Sequence, residues 1–244
     1  MSFRLYFYVF LFSAVLVQGC SQQAEKAEAK PGGDLMLLYM ESEPGVEPYQ
    51  SRLLINKDYM RMDDGKDEGD YTLYDRNKQT IYSVTHGEQS ILKLEQVTTK
   101  NRIKRKLILD AVKLHDKDVP KVEGKSPVQY RLLVNNKSCS TIYAVKGLHP
   151  EAIAALREFR RILASVHLSK LNNTPSEMRD ECFLAHEVQV PGRILQYGLT
   201  VYEASLSGFK RILVDYKNGV KHNPLLYKLP KAYRINTMTG AVVK

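Results

Sequence analysis

Eight residues from Asp63 to Asp70 (DDGKDEGD) hold five carboxylates, the densest acidic stretch of the chain. Carboxylates at that density are what a calcium loop offers, but such a loop needs ligands at alternating positions, a glycine at the sixth and a closing bidentate Glu. The segment lacks that spacing and reads as a solvated hairpin turn, with Gly65 and Gly69 supplying positive φ. Histidines stand at 86, 115, 149, 167, 186 and 222, no two of them at ligand spacing. Cys182 and His186 are spaced C-x3-H, which supplies two metal ligands and no more. The chain contains no G-x-S-x-G, no H-E-x-x-H and no phosphate-cradling glycine loop. The sequence therefore nominates no catalytic residue, no metal and no cofactor. One cationic cluster remains: Lys100, Arg102, Lys104, Arg105 and Lys106, five positive charges in seven residues. It reads as a solvated loop or as a contact for anionic lipid, at about 1 kcal/mol per charge near a membrane surface.

Residues 1–19 carry one charge, Arg4, ahead of an apolar run from Leu5 to Val17. A membrane-spanning helix needs about 20 apolar residues, so the run reads as an export signal. Val17-Gln18-Gly19-Cys20 resembles the lipobox of bacterial lipoproteins, in which the Cys thiol receives a diacylglyceryl group. That resemblance implies a membrane anchor at Cys20. Ser21 in the next position resembles lipoproteins sorted to the outer membrane, which implies a lipid-anchored protein on its periplasmic side. Residues 20–33 then form a polar tether ending Pro31-Gly32-Gly33. With Cys20 assigned to lipid, Cys139 and Cys182 are left in an oxidising compartment, where a pair normally closes into a disulfide. Such a bridge closes a loop of 43 positions and contributes roughly 4 kcal/mol. Metal binding by Cys182 and His186 is the alternative.

The 244 residues carry a formal net charge of +9, and +8 once Arg4 leaves with the leader. Export argues against nucleic acid as the partner of that charge, which suits anionic head groups or acidic surface polymers better. A hydrophobic content of 43% with 26% charged residues is that of a globular protein.

These residues need elements to position them. Short runs at 35–40, 50–56, 59–62, 71–75, 80–85 and 90–95, separated by turn residues about every ten positions, predict an antiparallel meander. Strands are expected again at 104–114 and at 128–134 with 141–145 around Asn135-Asn136-Lys137. At Pro150 the apolar period lengthens: Ala152, Leu156, Phe159, Leu163 and Val166 mark a helix of about 20 residues, with Arg157, Arg160 and Arg161 on its solvent side. A short second helix within 176–184 would carry Cys182. Strands at 196–204 and 209–216 follow, with a turn at Asn218-Gly219. Residues 34–236 read as one domain and 237–244 as a tail.

Three segments carry a further resemblance: Leu54–Asp63 with Tyr71–Asp75 and Thr80–Val84; Ser138–Val145; and Lys210–Tyr216 running to Leu225–Tyr233. Together they resemble the bacterial lipoprotein-carrier and lipoprotein-receptor superfamily, by way of an exported family of unknown function. The resemblance implies an α+β, mainly antiparallel half-barrel: a curved sheet wrapped on one long helix and enclosing a hydrophobic groove. The expected function is a non-enzymatic binding module for an acyl chain, a lipid or a lipoprotein. The alternative is a structural or assembly lipoprotein that binds other envelope proteins.

Overall fold

The computed structural model describes residues 33–115, 119–175, 177, 179–238 and 242–243. The expected lipidation site Cys20, the expected leader and the expected tether up to residue 32 lie outside the described residues. In β1 (Asp34–Ser42), Leu35, Leu37, Tyr39 and Glu41 are buried and the residues between them are less so, the two-residue period of a strand. β2 (Tyr49–Ile55), β3 (Tyr59–Asp63), β4 (Tyr71–Asp75), β5 (Thr80–Thr85) and β6 (Ser90–Leu94) follow, each antiparallel to its predecessor. This is the meander the turn spacing predicts. In the β3–β4 turn Gly65 takes φ +93°, but Gly69 does not enter the left-handed region as expected. The turn is shaped instead by carboxylates: Asp63 accepts from the Gly65 amide at 3.0 Å and Asp64 from the Lys66 amide at 3.0 Å.

A second antiparallel set comprises β7 (Leu109–Leu114), β8 (Val128–Val134) and β9 (Lys137–Val145). Asn135 and Asn136, at φ 50° and 65°, make its β8–β9 hairpin. After α1 (Pro150–Lys170), β10 (Leu199–Ser205) pairs with β9, and β11 (Lys210–Val220) joins β10 to β1. Asn218-Gly219 is not a turn: β11 runs through it, and Gly219 at φ +67° lies where the β1 pairing shifts register.

The expected α+β antiparallel half-barrel is overturned. The protein is mainly β with one long helix, and the thirteen strands among the described residues form a single open sheet in the order β13-β12-β6-β5-β4-β3-β2-β1-β11-β10-β9-β8-β7. The sheet is mixed, because β12 (Arg234–Thr237) lies parallel to β6, with β13 (Val242–Val243) outside it. Parallel pairing arises because the chain leaving β11 returns over the sheet instead of turning back in a hairpin. That return covers a second face: Tyr227, Leu229, Tyr233 and Ile235 pack on Tyr71, Leu73, Tyr82, Val84 and Ile91. The opposite face carries the main core, where Ala152, Ala155, Phe159 and Ile162 of α1 meet Leu37, Leu53, Met60, Tyr74 and Ile142. A third cluster joins Val134, Cys139, Leu171, Leu184 and Val188. Every strand among the described residues, the long helix and both Cys139 and Cys182 fall within residues 34–243, and this stretch carries a core. No helix among the described residues is long and apolar enough to cross a membrane.

Candidate functional site

At one end of the sheet three strands break the apolar rule on the face that α1 covers. Glu41 follows Leu35, Leu37 and Tyr39 at the same parity in β1; Arg211 of β11 is its cross-strand partner, and Glu203 of β10 is Arg211's partner on the other side. Alternating charge across adjacent strands is favourable. Arg211 bridges to Glu41 at 2.7 Å and lies 4.3 Å above the Tyr39 ring. Arg211 and Glu203 line a cavity of about 600 Å³, together with Ser140 of β9, Arg160 of α1 and the Cys139–Cys182 bridge. Phe183, Leu206 and Phe209 add apolar surface to the same cavity.

The segment bearing Cys182 is fixed locally. Asp180 Oδ1 accepts from the amides of Cys182 at 2.7 Å and Phe183 at 3.0 Å, starting a single turn, α2 (Glu181–Phe183), which widens into a π-helical turn over Leu184–Gln189. The bridge to Cys139, with Cα atoms 5.4 Å apart, pins that turn to β9. Cys182 is thereby removed as a metal ligand. His186 projects from the turn to the cavity.

Burial pushes the Glu203 carboxyl up, against the pull of Arg160 and Arg211 and with help from Glu187 and Glu41. Burial pushes His186 down to about 4, reinforced by Arg193 and Arg160. The geometry agrees, because Arg193 Nη1 lies 3.3 Å from His186 Nε2, which accepts only when the ring is neutral. Two other polar atoms at the cavity, Ser140 Oγ and Arg211 Nε, are buried without a hydrogen-bond partner among the described residues. Unpaired buried donors are rare and costly. The residues lining the cavity thus include two with an unpartnered buried polar atom, a carboxyl whose pKa is raised and a histidine that is a weak base.

The acidic stretch is used internally. Asp63 pairs with Arg52 at 2.8 Å and Arg61 at 2.6 Å, Asp67 with Arg52 at 2.8 Å, and Asp70 accepts from the His86 amide at 2.7 Å. Among the described residues no group of three His, Cys, Asp or Glu side chains is arranged to hold a metal. Lys100, Arg102, Lys104, Arg105 and Lys106 are all exposed, and Arg102, Arg105 and Lys106 line a second cleft of about 420 Å³. Glu203, Arg211 and Ser140 were not nominated from sequence. For the two charges the signal is parity with their inward neighbours, which the pairing of β1, β11 and β10 makes readable; Ser140 carries no such signal. Arg160, expected on the solvent side of the helix, is half-buried at the cavity instead.

No family model and no curated protein matches the chain. Among solved structures, an uncharacterised conserved protein from Thermus thermophilus is 11% identical, with 84% of this chain and 90% of that chain covered, at a TM-score of 0.40. Two crystal forms of PNGF-II are 10% identical over 84% of this chain, at TM-scores of 0.40 and 0.37, and the match spans 31% of the length of PNGF-II. Similarity at this level fixes neither family nor activity.

Proposed function

We propose that the protein is a non-enzymatic binding module, tethered to the outer membrane through Cys20, that takes a small amphipathic ligand in the cavity beside Glu203. The ligand's apolar body lies against Phe183, Leu206 and Phe209, and its acceptor-bearing end meets Arg211, Ser140 and Glu203. An acyl chain ending in a carboxylate or carbonyl has that chemistry. The observation that carries this reading is the pair of buried, unpartnered polar atoms, Arg211 Nε and Ser140 Oγ, at one cavity. A ligand oxygen there would remove the penalty of leaving them unpaired. A volume of about 600 Å³ lies within the range that small-molecule sites occupy.

The test is organic extraction of purified residues 33–244 followed by mass spectrometry, together with titration of a fluorescent acyl probe. A copurifying acyl species, and an affinity lowered roughly tenfold or more by Arg211→Gln as expected for a lost charged hydrogen bond, support the proposal. An empty extract and no probe binding overturn it.

A further inference from the structure

Between β6 and β7 the chain crosses the C-terminal end of α1. Asn101 fastens it there: its Nδ2 donates to the carbonyls of Leu168 at 3.2 Å and Ser169 at 3.0 Å, and its Oδ1 accepts from Asn172 at 3.2 Å. The Val97 amide donates to Ser165 Oγ at 3.0 Å, and Ile103 and Leu107 turn inward onto the cluster around the disulfide. Anchored in this way, the segment holds Lys100, Arg102, Lys104, Arg105 and Lys106 outward. None of the five forms an ion pair or hydrogen bond among the described residues. Arg102, Arg105 and Lys106 border the cleft of about 420 Å³, which Asn101, Leu168 and Gln189 also line. Just past them Ile108 is 57% exposed, and Val112 on the edge strand β7 is 42% exposed. Unpaired cations beside exposed aliphatic side chains are the makeup of a surface that settles into a headgroup layer.

We propose that this face docks on an anionic phospholipid bilayer, with a lipid phosphate in the cleft of Arg102, Arg105 and Lys106 and Ile108 entering the headgroup layer. The proposal is independent of what the cavity beside Glu203 binds. A soluble polyanion would meet the same cations without using Ile108, and that difference separates the two partners.

The test uses residues 33–244 with vesicles of phosphatidylcholine alone or mixed equally with phosphatidylglycerol. Sedimentation with the mixed vesicles only, weakening as salt rises, is expected. Arg102→Gln combined with Arg105→Gln lowers partitioning roughly 30-fold, from about fivefold per cation. Lys57→Gln with Lys217→Gln, the same change in net charge elsewhere, leaves it unaltered. The chain has no tryptophan, so Ile108→Trp supplies a single reporter whose emission shifts to the blue on the mixed vesicles and not with heparin. Equal losses from the two glutamine pairs, or no spectral shift on phosphatidylglycerol, overturn the proposal. Heparin binding without vesicle preference overturns it as well and marks the face as a polyanion site.

Discussion

Glu203 and His186 share a cavity yet respond to acid in opposite ways. Glu203 has its folded-state pKa raised, chiefly by burial, so the native protein holds the proton more tightly than the unfolded chain. Ionisation at higher pH therefore costs stability, which is regained as the medium is acidified. Glu203→Gln is expected to raise Tm at pH 8 and to leave it nearly unchanged at pH 5, by differential scanning calorimetry; an equal shift at both pH values would show that its charge state is immaterial. His186 has its folded-state pKa lowered to about 4, again chiefly by burial. The unfolded chain takes up that proton first, so stability falls as pH drops below the ordinary histidine value of 6.5 toward about 4. Its imidazole resonances should show no titration between pH 7 and 5. A midpoint near 6.5 would mean that Arg193 does not hold the ring neutral.

At the scale of elements, the disulfide holds the α2 and π-helical turn as one side of the cavity. Reduction should lower stability by about 4 kcal/mol, or roughly 10 °C in Tm for a chain of this size. Binding of an acyl probe should weaken along with it, as fluorescence titration under reducing and oxidising conditions would show. Much at this scale was legible. The meander up to β6 declared itself through alternation and turn residues, and α1 through apolar steps after Pro150. Cysteine parity pointed to Cys139 with Cys182. β12 gave no warning, because Arg234-Ile-Asn-Thr237 carries no alternation that separates it from coil, and its partner β6 lies far upstream. The cavity was hidden for a related reason. A charge within a strand reads as outward-facing unless the register of its neighbours is known, and Glu41, Arg211 and Glu203 face inward only once β1, β11 and β10 are paired.

Across the whole molecule, one buried ionic node ties distant parts together. Arg61, with a side chain only 2% exposed, pairs with Asp63, donates to the Leu226 carbonyl at 2.8 Å and to the Asp67 carbonyl at 3.0 Å, and stacks 3.8 Å from the Tyr71 ring. Arg52 completes the node with a two-pronged contact to Asp63 at 2.8 and 2.9 Å. Asp63→Ala leaves the buried Arg61 guanidinium without a carboxylate and Arg52 with Asp67 alone, and should cost about 3–5 kcal/mol, read from the urea midpoint; a loss below about 1 kcal/mol would mean that water replaces the carboxylate. The junction between β1 and β11 has a wider consequence. Asp34 lies opposite Val220 and Ser42 opposite Lys210, so the two halves of the sheet become one body only after the chain has been made through residue 220. Long-range closure of this kind favours slow acquisition of structure, and a nascent chain of this topology stays threadable until β11 emerges.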